Sequence, residues 1–440
     1  MIILKKNIDN LVKNIAQKLK DFDYVENVIN KKSNYRNING LKINPYDEMA
    51  LSSGLPSLCM LYGEMNEQYP KEDWDIIDHQ YIKILGDTIT KNGIEELSMF
   101  SGAAGIGLSI VCSSKQRERY TSFISNINEF IKSNIKEFMD KIKANTYCNI
   151  TNYDVISGVS GIASYCMLFP QDEGMTDILK EIVTYIIDIC RDKNIENISV
   201  PGWYIPSENL FTKNDKQQWP KGCFNIGLAH GIPGILIILC NALKLGICLD
   251  GQSDCIRKIG DFLIRFRRQD NNGCYWGCIV SLDEYTYDTI DDPYFRDAWC
   301  YGTPGVAYSL LLAGKVLNNQ SYITVAIEGM QSSIKRLKEI CSPTFCHGLS
   351  GEMYIAYRFY ELTNLAEFKG AYIELSNKLI SFYDDEAPFG FYDIEIANGK
   401  CENYNYIGLI DGTVGILLTL MAIQNGKKTP WDCAFLLSDI

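Results

Sequence analysis

Three histidines occur in 440 residues, and two of them stand directly ahead of a glycine in one short pattern, Ala229-His230-Gly231 and Cys346-His347-Gly348. A third copy, Cys300-Tyr301-Gly302, keeps the cysteine and has tyrosine in place of histidine. Random placement would rarely put two of so few histidines at one position. Imidazole binds metals and also moves protons near neutral pH. Cys300, Cys346 and His347 form a zinc ligand set, because zinc takes sulfur and nitrogen in a tetrahedron and a catalytic site keeps the fourth position open. Cys346 and His347 are adjacent. On a regular helix neighbours diverge, but at a glycine-rich helix start both can turn inward. The competing account makes Cys300 and Cys346 core residues, as reduced cysteines commonly are; the shared register and the neighbouring histidine weigh against it. Ala229 replaces the cysteine ahead of His230, which marks that histidine for proton transfer or a place beside the metal rather than ligation.

Such residues need elements that hold them at one level, and internal repeats supply these. A polar residue, Gly, two residues and a second small residue recur as Ser53-Gly54-Leu55-Pro56-Ser57, Ser101-Gly102-Ala103-Ala104-Gly105 and Ser157-Gly158-Val159-Ser160-Gly161. They return around Gly231, Gly302, Gly348 and Gly412, the last copy led by Asp411. The gaps between successive glycines are each long enough for two helices. Nearly uncharged segments such as Val306–Ala313 follow the glycines, and amphipathic segments such as Ser122–Lys143 lie between them. A helix apolar all round is buried, and one with a single apolar face lies outside. The pattern predicts an all-α fold, an α/α toroid of seven inner and seven outer helices with short β-rich loops. The seven polar positions would then face a common central space. The whole of 1–440 is expected to be a single catalytic domain, with elaborations at about 165–226 and 270–296. Within these, 193–226 reads as an irregular excursion, and Asn272-Gly273 and Asn398-Gly399 mark short β-rich loops.

Composition bounds the remainder. The hydrophobic content of 46% supports a large core, and a net charge of −12 without a basic run argues against nucleic acid as partner. No export signal is legible, so the 16 cysteines are expected to be thiols in a reducing cytoplasm. The apolar run Ile235–Cys240 is far too short to span a membrane. Near the N-terminus, Ile8, Leu11, Val12, Ile15, Ala16 and Leu19 share a helical face and predict a core-docking helix. Cys274 and Cys278 have metal-compatible spacing but no histidine nearby. His79 and Asp384-Asp385-Glu386 read as solvated surface.

The motifs Asn152-Tyr153-Asp154, Ala229-His230-Gly231, Trp299-Cys300-Tyr301-Gly302 and Cys346-His347-Gly348 together resemble the signature motifs of the lanthipeptide (lantibiotic) cyclases, the lanthionine synthetase C-like proteins. The likeness runs from the second repeat to the end; the first repeat is its weakest part, and residues 1–50 show no likeness. It implies an α/α toroid with one Zn²⁺ per chain, held by Cys300, Cys346 and His347. It also implies functional roles for His230, Asp154, Arg296 and Tyr301, with Arg296 placed four residues ahead of the first ligand.

The implied reaction adds a cysteine thiolate to dehydroalanine or dehydrobutyrine, giving lanthionine or methyllanthionine rings. His230 is the candidate acid for the resulting enolate, Arg296 a fixed charge near the enolate oxygen, and Asp154 the group that orients His230. A structural ion pair between helices is the competing account of Asp154 and Arg296. The implied partner is a dehydrated precursor peptide with its leader. A dehydratase and a transporter are candidate partners that would bring a cytoplasmic enzyme to the membrane periphery. Two other functions compete: addition of glutathione or another thiol to an electrophile, and a non-catalytic scaffold for a modified peptide. The complete Cys, Cys, His set speaks against the scaffold.

Overall fold

The seven repeat glycines each cap a helix in the computed structural model, which describes residues 2–38, 41–289, 296–337, 340–397 and 400–438. The capped helices are Leu55–Gln68, Ala103–Ser113, Val159–Cys166, Ile232–Lys244, Thr303–Leu317, Leu349–Thr363 and Thr413–Asn425. None is capped by a side chain. The loop ahead of the helix folds back instead and offers carbonyls to the otherwise unpaired first N–H groups. Leu55, Ala103, Leu349 and Thr413 donate to the carbonyls of Glu48, Glu96, Ser342 and Tyr406, each seven residues earlier, at 2.8–3.0 Å.

That close return explains the glycines. A Cβ on Gly158 would sit 2.5 Å from the backbone nitrogen of Asp154. At Gly302 it would overlap the carbonyl oxygen of Arg296, and φ there is +92°, a region side chains disfavour.

The chain divides into two compact units. The first comprises Met1–Glu96, Phe100–Ile127 and Glu339–Trp431, and holds repeats one, two, six and seven. The second comprises Leu97–Met99, Asn128–Lys338 and Asp432–Ile440, and holds repeats three to five. In the first unit the capped helices pack in the order Leu349–Thr363, Thr413–Asn425, Leu55–Gln68, Ala103–Ser113. In the second, Ile232–Lys244 packs between Val159–Cys166 and Thr303–Leu317.

These helices are the core: Ile235, Leu236, Ile237, Ile238 and Leu239 are all fully buried. Each such side chain contributes about 1.5–3 kcal/mol relative to exposure. Amphipathic partners cover them, among them Trp74–Asn92, Glu173–Ile189, Gln252–Arg265, Gln320–Arg336 and Ala366–Ile380. On Gln252–Arg265 the buried residues include Cys255, Ile256, Ile259, Phe262 and Leu263, one helical face. The seventh capped helix takes its partner from the other end of the chain. Helix Ile2–Leu19 packs on Thr413–Asn425, with Ile8, Val12, Ile15, Ala16 and Leu19 buried and Leu11 at the edge.

Eighteen α-helices and five two-stranded antiparallel pairs stand among the described residues, so the expected all-α class with short β excursions is the one observed. The stretch 165–226 differs from expectation at its start. Residues Glu173–Ile189 are a covering helix with Ile178, Leu179, Ile182, Val183 and Ile186 buried, not an elaboration. The excursion itself holds hairpin Asp192–Ile195/Ile198–Pro201, two short helical turns and strand Cys223–Asn225. That strand pairs with Ile279–Ser281 from the second excursion, so the two elaborations are joined. Residues 290–295 of the second excursion and the turn Asn398-Gly399 lie outside the described residues. Asp393–Ala397 and Lys400–Tyr404, which flank that turn, form the expected antiparallel pair. Among the described residues no helix is long and apolar enough to cross a membrane.

Candidate active site

The loops that return beneath the capped helices also bond to one another. In the first unit Cys346 N–H donates to Ile410 O (3.0 Å), Ile410 N–H to Ser52 O (3.5 Å) and Ser52 N–H to Phe100 O (3.1 Å). In the second, Val155 N–H donates to Ala229 O (3.0 Å) and Ala229 N–H to Cys300 O (3.1 Å). Cys346, Ile410, Ser52, Phe100, Ala229 and Cys300 each lie two residues ahead of a capping glycine, so this backbone ladder holds the repeats in register. The next residue in each copy is the polar one. Ser53, Ser101, Ser157, His230, Tyr301, His347 and Asp411 are all at least partly exposed, while the helices behind them are buried.

In the second unit the ladder brings His230 against Asp154. The imidazole Nδ1 lies 2.6 Å from Asp154 Oδ2; the carboxylate side chain is 1% exposed and the imidazole 27%. Asp154 Oδ1 accepts the N–H groups of Ser157 (2.8 Å) and Gly158 (2.6 Å), so the carboxylate cannot rotate away. A carboxylate only accepts, so Nδ1 carries the proton and Nε2 is the nitrogen left for chemistry. Tyr301 stacks obliquely near His230, ring centroids 6.0 Å apart, and its hydroxyl accepts from Asn225 Nδ2 at 3.1 Å. Burial pushes the Tyr301 phenol well above its ordinary value, against the opposing bond from Asn225, so it stays protonated.

Cys300 precedes Tyr301 and is buried. Arg296 is exposed, with its carbonyl beneath Gly302. The segment between them is held by Arg336, whose Nε donates to Asp297 at 2.6 Å and whose Nη1 pairs with Asp270 at 3.2 Å.

In the first unit Cys346 and His347 come together with Asp411. One ligand-type atom from each lies within 4.8 Å of the other two. Asp411 Oδ1 is buried, has no hydrogen-bond partner among the described residues, and lies 3.7 Å from His347 Nδ1. A thiol, an imidazole and an unsatisfied buried carboxylate oxygen fit a divalent metal, and the sulfur and nitrogen donors suit zinc. Asp411 was not singled out by its sequence. The signal was present, since it occupies the register of His230 and His347 in the seventh repeat.

Arg36 had no such signal. It pairs with Asp393 and with Glu395 Oε1 (3.0 Å), lies 3.7 Å from Asp411 Oδ2, and sits over the rings of Tyr406 and Tyr404 at 4.7 and 5.3 Å. Burial pushes the Asp393 carboxyl up to about 7; the charge of Asp411 adds to this, Arg36 opposes it, and Glu395 adds further.

None of the 16 cysteines is in a disulfide. Cys274 and Cys278 are buried, and they do not join a three-ligand group among the described residues. His79 and Asp384–Glu386 are on the surface.

Comparison with known proteins bears on this arrangement. The family model described as lanthionine synthetase C-like protein matches residues 45–436. The nisin biosynthesis protein NisC of Lactococcus lactis subsp. lactis is 29% identical over 402 residues, covering 90% of each chain. A solved structure of nisin cyclase superposes with a TM-score of 0.79 at 26% identity, covering 98% of both chains. The likeness assigns this chain the fold of that cyclase, an α/α toroid.

Proposed function

The chain belongs to the lanthionine synthetase C-like family, and from that premise we propose that it is a lanthionine-forming cyclase acting on a dehydrated precursor peptide that carries a leader. The observation that carries this reading is the group of Cys346, His347 and Asp411, metal-ligand chemistry with His347 and Asp411 at the register the repeats reserve for polar residues and Cys346 directly ahead of His347. One zinc per chain is proposed, with Cys300, Cys346 and His347 as ligands and Asp411 beside His347. All of 1–440 would form one catalytic domain.

When bound, zinc would lower the pKa of an incoming cysteine thiol so that it reacts as thiolate at neutral pH. The remaining steps fall to the chain's own groups. The substrate sulfur bonds to the β-carbon of dehydroalanine or dehydrobutyrine, and the alkene electrons move toward the carbonyl to give an enolate. The enolate α-carbon then takes a proton. His230 is the proposed donor through Nε2, because Asp154 holds Nδ1 and fixes the ring so that Nε2 faces outward. Arg296 supplies a fixed positive charge for the enolate oxygen. Tyr301, protonated and close to His230, keeps the imidazole ring in place. The thiol proton leaves to solvent and one proton returns, so the peptide's mass does not change.

A cytoplasmic enzyme working beside a dehydratase and a transporter at the membrane completes the proposal. Mass spectrometry after thiol alkylation tests it: with the enzyme, dehydrated peptides should lose alkylatable cysteines at constant mass. Peptides that keep every thiol in the presence of metal-loaded enzyme would overturn it.

A further inference from the structure

A cavity of about 130 Å³ lies in the first unit beside Asp411. Ile29, Pro45, Ile407 and Ile410 form its apolar walls, with Tyr46, Tyr406 and Ser53. An apolar cavity of about 150 Å³ holds a molecule the size of benzene, so this one accommodates a single branched aliphatic side chain.

Three observations say what enters. The first is position. Asp411 belongs both to the cavity lining and to the group with Cys346 and His347. The carbonyl of Ile410 accepts the N–H groups of Phe345 (3.1 Å) and Cys346 (3.0 Å), so the cavity wall is bonded directly to the segment carrying the metal-type side chains. Neighbouring residues of a peptide lie only about 3.8 Å apart along the chain. A residue flanking a cysteine presented to Cys346 and His347 is therefore within reach of this cavity.

The second observation is charge. Arg36 lines the cavity, yet its guanidinium already faces Asp393, Glu395 and Asp411 and rests on two tyrosine rings. It offers little to an incoming anion. The third is an unsatisfied group. The Tyr46 hydroxyl is buried and has no hydrogen-bond partner among the described residues. Burial raises its pKa, with Glu48 adding to the effect, so it remains a donor. A buried donor left unpaired is costly, and a peptide carbonyl would satisfy it.

We propose that this cavity is a specificity subsite for an apolar side chain on a residue flanking the reacting cysteine, with Tyr46 donating to a carbonyl of the same peptide. The proposal rests on the peptide-cyclase reading above.

The test uses three synthetic peptides, each with one dehydroalanine and one cysteine, identical except for Ile, Gly or Glu beside the cysteine. Thiol loss is followed by alkylation, and kcat and KM are measured separately. The Ile peptide should exceed the Gly peptide by about tenfold or more in kcat/KM, mostly through KM, since filling an apolar pocket discriminates on that scale. The Glu peptide should be no better than Gly.

Ser53→Phe, which narrows the cavity, should bring the Ile peptide down to the Gly level while Gly turnover and metal content stay within about twofold. Tyr46→Phe, which keeps the ring, should raise KM several-fold for all three peptides. Equal rates for Ile and Gly, or a preference for Glu, would overturn the subsite while leaving the cyclase reading intact. Equal slowing of all three peptides in Ser53→Phe would do the same. If no peptide loses its thiol with metal-loaded wild-type enzyme, the cyclase reading falls and the subsite with it.

Discussion

Asp154→Asn isolates the role of the carboxylate from its role in the fold. The side chain makes two kinds of bond: Oδ1 accepts from Ser157 and Gly158, and Oδ2 faces His230 Nδ1 at 2.6 Å. Asparagine keeps an oxygen for the two backbone N–H groups, so the loop should survive. Its amide nitrogen then faces Nδ1 as a donor, and His230 must turn its lone pair there and carry its proton on Nε2. That imidazole no longer has a carboxylate on Nδ1 to fix its tautomer and orientation. A hydrogen bond to a charged group contributes about 1.5–3 kcal/mol. The fall in kcat should therefore be about tenfold to a hundredfold, since about 1.4 kcal/mol is a factor of ten.

Zinc content and helical circular dichroism should match wild type. The assay is single-peptide cyclisation followed by thiol alkylation. A variant with unchanged kcat and an unchanged pH profile would show that Asp154 is only a structural anchor. A variant that loses its zinc would show that the His230 pair is not independent of the metal ligands.

His230→Ala should keep zinc and lose about a hundredfold to ten-thousandfold in rate, the range for a general acid; loss of zinc in that variant would make His230 a ligand. Elemental analysis should find one zinc per chain, and full zinc in the Cys300→Ala/Cys346→Ala double variant would refute the ligand assignment. Chelation should abolish activity with little change in circular dichroism, because the buried helices supply a core without the metal; global unfolding would refute this. Asp393 carries a pH signature. Its folded value of about 7 exceeds the ordinary 3.8, so it holds its proton more tightly when folded. Its stabilising contribution is fully present below about pH 4 and is lost as pH rises through about 7. Denaturant titrations at pH 5 and pH 8 should show a smaller loss for Asp393→Asn than for wild type, and equal losses would refute the assignment.

Much of this protein was legible along the chain. All seven glycines cap helices, and at Gly54, Gly158, Gly231, Gly302, Gly348 and Gly412 the motif states a local requirement, a backbone return too tight for a Cβ. The alternation of uncharged and amphipathic segments foretold buried and covering helices, because periodicity reports directly on which faces meet water. His230, Tyr301 and His347 fall in register by counting along the chain, since each stands directly ahead of a repeat glycine. The identity of Asp411 was equally visible, but its meaning was not: a carboxylate ahead of a glycine is ordinary until its oxygen is seen buried, unpartnered and 3.7 Å from His347.

Other features had no local trace. The N-terminal helix completes the seventh pair only because the two chain ends meet, a contact between residues hundreds of positions apart. The join of Cys223–Asn225 to Ile279–Ser281 depends on where two excursions happen to lie together. Arg36 reaches Asp393, Glu395 and Asp411 from a segment without any motif. Periodicity and spacing encode what a residue needs from its immediate neighbours. Burial, the pairing of charges and the cavity beside Asp411 arise from surfaces that only the folded chain brings together.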